Sequence, residues 1–153
     1  MNHERKEPNQ DNEALTVKLS SFGFKNGSAP QSNLVYDVRF LKNPYWEEHL
    51  RHLTGLDQEV REYVIEQKLA QDALERLMDL LDLTLPAILS EKSNTFSIAL
   101  GCTGGQHRST AMVEELSRLI REKYPQYEVV VEHRELMRRK PLEQETTQVG
   151  KTV

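Results

Sequence analysis

Several features that mark common protein classes are missing from this sequence of 153 residues. Cys102 is the single cysteine, so no disulfide can form within the chain, which is typical of a reducing compartment. No apolar run approaches the roughly 20 residues that are needed to cross a bilayer. Residues 1–8 also lack the apolar segment of a secretory signal. We therefore expect a cytoplasmic protein that has no membrane partner.

Excess positive charge is also absent. The chain has 20 Lys and Arg residues against 24 Asp and Glu residues, so its formal net charge is −4 at pH 7. Nucleic-acid binders usually carry a basic excess, because neutralising backbone phosphates supplies much of their affinity. Binding of RNA would therefore need a local basic patch or assembly of the chain into a homo-oligomer.

Common metal-binding patterns are missing too. His49, His52, His107, His133 and Cys102 form neither a Cys-x-x-Cys pair nor a His-x-x-x-His pair. Such pairs are typical of zinc sites. We predict no metal site and no cofactor.

The composition predicts one folded domain between two polar tails. Residues 1–13 are polar and charged, and we expect them to be disordered because they cannot bury enough apolar surface. Residues 142–153 follow no helical or strand period, and we expect a second flexible tail there. The remaining residues, 14–141, are enough for one hydrophobic core.

Apolar periodicity predicts an α/β fold for this domain. Strands are expected at residues 15–19, 33–38, 96–100 and 127–131, the last buried on both faces because of its three consecutive valines. A glycine-containing loop is expected over residues 23–30.

Helices are expected after Asp57 as N-cap, over residues 69–89, and after the turn at residues 101–109. Pro86 is expected to kink or end the second of them. Alternation of strands and helices in the second half predicts a partly parallel sheet.

The turn Gly-Cys-Thr-Gly-Gly-Gln-His-Arg-Ser at residues 101–109 is the strongest functional signal. It joins a predicted strand to a predicted helix, and its three glycines allow a ligand to approach the backbone closely. The N–H groups and the dipole of a helix N-terminus favour an anion. Arg108 can bind two phosphate oxygens, and the hydroxyls of Thr103 and Ser109 can donate. These features together predict a phosphate-binding site, and the alternative is a tight turn that serves packing only.

The spacing from Cys102 to Arg108 and Ser109 also matches the Cys-x-x-x-x-x-Arg-Ser signature of cysteine phosphatases. In such an enzyme Cys102 would be the catalytic nucleophile, and Asp37 or Asp57 would be the candidate general acid. Alternatively, Cys102 is a small buried residue at the end of a strand, which is the usual position of a free cysteine. We favour the second interpretation, which leaves the chain without an enzymatic role.

Five blocks in order resemble the C-terminal domain of the RapZ family of RNase adapter proteins. The blocks are residues 21–25 (Ser-Phe-Gly-Phe-Lys), 37–44 (Asp-Val-Arg-Phe-Leu-Lys-Asn-Pro), 53–57 (Leu-Thr-Gly-Leu-Asp), the turn 101–109, and His133-Arg134. The resemblance extends over about residues 17–140. It implies a single-domain αβα sandwich that resembles a phosphofructokinase subdomain, with a mostly parallel four-stranded sheet.

The resemblance also implies ligands. In this family the C-terminal domain senses glucosamine-6-phosphate and binds small regulatory RNAs, so a phosphorylated small molecule and a small RNA are the expected partners. The positions that match the family pocket are Cys102, Thr103, Gly104, Gly105, His107, Arg108 and Ser109, with Asp37, Arg39 and Asn43 as companions. No Gly-x-x-x-x-Gly-Lys-Ser/Thr loop occurs in the sequence, so the family's nucleotide hydrolysis is not carried over.

Two further groups of residues have more than one interpretation. Arg134, Arg138, Arg139 and Lys140 form the densest basic cluster and are the expected RNA-binding residues, although most such runs are solvated surface. Tyr45-Trp46 could stack on a sugar or base, but we expect the pair to cap the core. A protein–protein adapter without a small-molecule function is the remaining alternative.

Overall fold

A parallel sheet forms the centre of the domain. The computed structural model describes residues 15–90 and 94–138, and its strands are β1 (Thr16–Gly23), β2 (Leu34–Asp37), β3 (Thr95–Cys102) and β4 (Glu128–His133). Their order across the sheet is β2-β3-β1-β4, and every neighbouring pair is parallel. The prediction of a four-stranded, mostly parallel sheet is confirmed.

Helices cover both faces of this sheet. The crossover from β2 to β3 contains α1 (Gln58–Ile65) and α2 (Lys68–Ser90), and the crossover from β3 to β4 contains α3 (Arg108–Lys123). Helix α3 packs on β1, β3 and β4, while α1 and α2 pack against α3. Residues 134–138 are also helical and lie on the opposite face, where the Arg134 guanidinium is 5.4 Å from the centre of the Phe22 ring. The predicted αβα fold is therefore confirmed.

The hydrophobic core lies between the sheet and α1–α3. Alternate residues of β1 and β3 point into it, because successive side chains of a strand face opposite ways. Helix α3 contributes apolar residues at helical spacing from its buried face. The fully or almost fully buried residues of the core include Val17, Leu19, Ile98, Leu100, Met112, Leu116 and Ile120.

Strand β1 is longer than its apolar pattern predicts. It continues through Ser20 and Ser21 to Gly23, which pairs with Cys102 at the end of β3. Two serines in a row break the apolar alternation, so the pattern predicts an end at residue 19. Ser21 is nevertheless fully buried, because its hydroxyl is hydrogen-bonded to His133 Nδ1 at 2.6 Å. The extension brings the ends of β1 and β3 together at the glycine turn.

The prediction for β4 is wrong, and so is one of the two alternatives predicted for Pro86. The valines of β4 are only half-buried, since β4 lies at the edge of the sheet and pairs with β1 alone among the described strands. Helix α2 does not end at Pro86 but continues through it to Ser90. Proline removes one backbone donor, and the burial of Leu81 and Leu85 on the same helix holds that part of α2 in place.

Some predictions lie outside the described residues. The expected tails, 1–13 and 142–153, are among them, as are Arg139 and Lys140. Within residues 15–90 and 94–138, no helix combines the length and the apolar character that crossing a membrane requires. The His, Cys, Asp and Glu side chains of the same ranges form no group of three or more that could hold a metal ion.

Candidate anion-binding site

The glycine turn lies where β3 passes into α3. The strand ends at Cys102 and the helix begins at Arg108, so the predicted strand–turn–helix arrangement is present. In open parallel sheets, ligands bind at the carboxyl ends of the strands. Asp37 and Gly101 are partners in the β2–β3 register, and the backbone N–H of Val38 donates to the Gly101 carbonyl at 2.8 Å. The end of β2 therefore lies directly beside the turn.

The last two glycines of the turn have different roles. Gly105 has φ +72°, and a Cβ there would lie 2.6 Å from both Glu135 Cγ and Gly23 N. Packing and backbone conformation thus both require glycine at this position. A Cβ on Gly104 would meet only the Lys25 side chain, at 3.7 Å. Gly104 therefore leaves open space above its backbone, which a ligand can use.

Arg108 is the central residue of the site. Only 6% of its surface is exposed. Its Nη1 donates to the carbonyl oxygens of Arg39 at 2.8 Å and Leu41 at 3.1 Å, and its Nη2 donates to Thr103 Oγ1 at 3.4 Å. Its Nε is buried and has no hydrogen-bond partner among the described residues.

No carboxylate in residues 15–90 and 94–138 forms an ion pair with Arg108. The ion pairs of that part of the chain involve other arginines, lysines and His133. The Asp37 carboxylate interacts with the Arg108 charge through space, but its ion pair is with Arg39. A buried cation without an ion pair of its own is costly, because its desolvation is only partly offset. An anionic ligand would supply the missing charge.

His107 contributes hydrogen bonding to the site. Burial lowers the pKa of His107, with the Arg108 charge as a further cause. The imidazole is therefore neutral at pH 7. Its Nε2 lies 3.2 Å from the carbonyl oxygen of Arg51, and the Gln106 side chain donates to the carbonyl oxygens of Arg51 and Leu53. These contacts fix the segment at residues 51–53 against the turn.

A cavity of about 350 Å³ opens beside Arg108. Six predicted site residues line it: Asn43, Cys102, Thr103, Gly104, His107 and Arg108. Three residues outside the predicted set also line it: Lys25, Tyr45 and Gln106. Lys25 is placed there because its backbone N–H donates to the Thr103 carbonyl at 3.1 Å. Lys25 and Gln106 each lie in one of the five family blocks, which is the sequence signal that could have identified them.

The other four predicted residues lie around the cavity without lining it. Gly105 and Ser109 belong to the turn itself and are buried. Asp37 and Arg39 form an exposed ion pair with an N–O distance of 2.6 Å, and this pair lowers the pKa of Asp37. Arg39 still serves the site, because its backbone carbonyl accepts from Arg108.

Tyr45-Trp46 does not cap the core, contrary to expectation. Trp46 is 75% exposed, and the ring of Tyr45 contacts the Arg51 guanidinium at 4.8 Å. Asn43 explains this position, since its side chain accepts from the Tyr45 N–H and starts a short turn of 3-10 helix at Pro44–Trp46. The turn ends the apolar packing and directs both rings away from the core. Tyr45 reaches the cavity instead.

Cys102 forms specific polar contacts at the base of the turn. Its Sγ is 3.1 Å from Ser109 Oγ and accepts the N–H of Gly105 at 3.3 Å. The residue is 3% exposed and belongs to the core, as the packing interpretation predicts. It also lines the cavity, which the packing interpretation does not require.

A second cavity of about 290 Å³ adjoins the first. The two share Lys25, Gly104 and Gln106. Glu135 and Arg138 line its far side, and Arg138 Nη1 donates to Glu135 at 3.1 Å. Arg138, one of the predicted RNA-binding residues, is thus close to the predicted phosphate site.

A comparison with known protein families identifies the domain. The family model described as the RapZ C-terminal domain matches residues 15–137 of the chain. The chain belongs to the RapZ family. Its residues 15–137 correspond to the C-terminal domain of that family, so the resemblance drawn from the five sequence blocks is confirmed.

Relatives of this RapZ C-terminal domain are longer proteins. A "Nucleotide-binding protein" of Listeria monocytogenes serotype 4a (strain HCC23) is 46% identical over 131 residues, which are 86% of this chain and 44% of the relative. One of Geobacillus thermodenitrificans (strain NG80-2) is 49% identical over 126 residues, 82% of this chain and 41% of the relative. The chain thus spans less than half the length of the curated relatives it matches.

Proposed function

We propose that this domain is a regulatory module that binds a phosphorylated metabolite, and that the phosphate group contacts Arg108 and the start of α3. The observation that carries the proposal is the buried Arg108 guanidinium, which has no ion-pair partner in the described chain and a free Nε. Charge-assisted hydrogen bonds to phosphate oxygens would satisfy both the charge and the donor.

The N-terminus of α3 supports the same ligand. Its first turn contains no acidic residue, and no side chain caps it. The helix dipole and the first N–H groups therefore lack the negative partner that usually stabilises a helix start. A phosphate at this position would supply one.

The size and lining of the cavity favour a small polar metabolite. A volume of about 350 Å³ is near the lower end of ligand pockets in proteins. Asn43, Tyr45, Lys25 and Gln106, all with polar side chains, are among the residues that line it. An amino-sugar phosphate such as glucosamine-6-phosphate, the ligand that the family resemblance implies, has the phosphate and hydroxyl groups that such a lining recognises.

Calorimetry on the purified chain tests the proposal. Glucosamine-6-phosphate is expected to bind, while glucosamine without its phosphate is expected to bind far more weakly. A mononucleotide and inorganic phosphate, titrated in the same way, show whether the sugar contributes. Absence of binding by every phosphorylated compound would contradict the proposal and favour a protein–protein adapter.

Substitution of Arg108 is the sharper test. Arg108→Ala should weaken phosphate binding by roughly 2–5 kcal/mol, because the variant has no guanidinium to pair with the phosphate in a desolvated site. Arg108→Lys should restore part of the affinity, since an ammonium cannot form the two-pronged contact of a guanidinium. Arg76→Ala, an exposed arginine on α2, is the matched control and should bind normally. Circular dichroism confirms that each variant is folded.

RNA binding is a second candidate function, which the position of Arg138 favours. Its side chain is more than half exposed, and it lines the cavity next to Lys25. Arg134 lies beside it, although its donors are bound to Glu135 and to the carbonyl oxygens of Ser28 and Gly23. Cations at the rim of the phosphate site could contact an RNA backbone.

A further inference from the structure

The contacts of Cys102 are not explained by phosphate binding alone. Strand β3 ends at Cys102, α3 begins at Arg108, and the five residues between them form the turn. Sγ accepts the N–H of Gly105 at 3.3 Å and lies 3.1 Å from Ser109 Oγ. The Gly105 N–H and the Ser109 hydroxyl, which also donates to the Phe22 carbonyl at 3.4 Å, are both groups that can donate to a thiolate. An inert packed cysteine needs neither contact.

A second observation points to a ligand at the same place. Arg108 is 6% exposed, lines the same cavity as Cys102, and has a buried Nε without a partner among the described residues. A phosphate bound by Arg108 in this cavity would therefore lie in the cavity that Cys102 also lines. A possible nucleophile and a residue that could stabilise charge on a phosphoryl group therefore line the same cavity.

We propose that this turn also catalyses phosphoryl transfer, with Cys102 as the nucleophile and activated phosphates, namely acyl or aryl phosphates, as the substrate class. The inference rests on the proposed phosphate site. In the first step the Cys102 thiolate, whose proton has passed to solvent, attacks phosphorus. The Sγ–P bond forms as the P–O bond to the leaving group breaks, and the carboxylate or phenolate departs with the bonding electron pair.

The second step restores the enzyme. Water attacks the phosphorus of the phosphocysteine, the Sγ–P bond breaks, and inorganic phosphate is released with the proton of the water. Cys102 leaves as a thiolate that the Gly105 N–H and the Ser109 hydroxyl stabilise. Arg108 neutralises charge on the phosphoryl oxygens in both steps.

The limit to activated phosphates follows from the candidate general acids. The Arg39 side chain, bonded to Asp37, lowers the pKa of that carboxyl, so Asp37 is ionised and has no proton to donate at pH 7. Asp57 accepts the N–H of Thr54 at 2.8 Å at the start of α1. A leaving group that departs as a stable anion needs no proton, whereas the alkoxide of a sugar phosphate does.

Phosphate release from acetyl phosphate and p-nitrophenyl phosphate tests this inference. The wild-type chain should turn over both, and glucose-6-phosphate should react at least about 100-fold more slowly for lack of general acid catalysis. Cys102→Ser should lose turnover yet retain binding of inorganic phosphate in calorimetry. Ser109→Ala should accumulate a phosphocysteine, seen after acid quenching as a mass increase of one phosphoryl group, because thiolate departure then has one donor fewer.

The outcomes separate the two proposals. If wild type binds phosphate in calorimetry but turns over neither activated ester, the catalytic inference is wrong and the binding function stands. Turnover that survives Cys102→Ser would also overturn it, since another group would then be responsible. If no phosphorylated compound binds, both proposals fail together. Wild-type turnover that disappears in Cys102→Ser, with phosphate binding retained, supports both.

Discussion

His107 couples the site to pH through its burial. Its pKa is lowered by desolvation, so the folded chain takes up this proton only at a pH below the ordinary value of about 6.5. In the window between the lowered and the ordinary pKa, the unfolded chain holds the proton and the folded chain does not. The free energy of unfolding therefore falls as pH decreases below about 6.5, by up to about 1.4 kcal/mol per pH unit from this residue.

Urea unfolding of wild type and His107→Gln from pH 8 to pH 5.5 tests this prediction. The variant should lose less stability than wild type over the acid part of the range, because glutamine does not titrate. The same substitution at His49, which is exposed, controls for removal of an imidazole elsewhere. Parallel curves for wild type and His107→Gln would show that His107 does not contribute to the pH dependence.

At Gly105 the conformation and the packing of the turn allow no residue other than glycine. Its positive φ and its close approach to Gly23 and Glu135 leave no space for a Cβ. The N–H of the same residue donates to Cys102, and its carbonyl accepts from Thr110 Oγ1 at 3.0 Å. A side chain here would displace the contacts on both sides of the turn. The geometry of the proposed phosphate site therefore depends on this one backbone position.

Helix α2 supports the site indirectly, because it packs against α3, which carries Arg108. Leu81 of α2 is fully buried, whereas Leu83 is 74% exposed. Leu81→Ala should lower the free energy of unfolding by about 2–5 kcal/mol, because it removes buried apolar surface and leaves a cavity. Leu83→Ala should change it by less than about 0.5 kcal/mol, since the side chain lies largely in solvent. Thermal unfolding of both variants measures the difference, and equal losses would contradict the packing described for α2.

RNA binding concerns the charge of the whole molecule. With a net charge of −4, long-range attraction to RNA is weak, so the proposed RNA affinity would have to come from the basic cluster or from assembly of several copies. Substituting Arg138, Arg139 and Lys140 by Ala should weaken RNA binding and reduce the salt slope of log K by about 0.7–0.9 for each RNA phosphate that is no longer neutralised. Phosphosugar affinity should not change, because Arg108 remains.

Filter binding at several salt concentrations measures that slope. The matched control replaces Arg61, Lys68 and Arg76 on α1 and α2, which changes the net charge equally but away from the site. Equal effects of the two triple substitutions would mean that only total charge matters. Normal RNA binding by the first variant would mean that RNA binds to another surface of the domain.

Local sequence was enough to predict the α/β class and the strand–turn–helix arrangement around Arg108. Apolar periodicity reports which residues a strand or helix buries, and glycine reports where the backbone turns or is approached closely. Both are local properties of the chain. The five sequence blocks then led to the family, which the match over residues 15–137 confirms.

Contacts between distant segments decided the rest. Ser21 and Ser109 are buried because His133 and Cys102 provide partners for their hydroxyls, and spacing along the chain does not reveal such partners. Lys25 and Tyr45 reach the cavity because turns remote from α3 place them there. The lack of an ion pair of Arg108 among the described residues is likewise a property of the folded domain. The sequence contains 24 acidic residues, and only the tertiary structure determines how near each of them lies to Arg108.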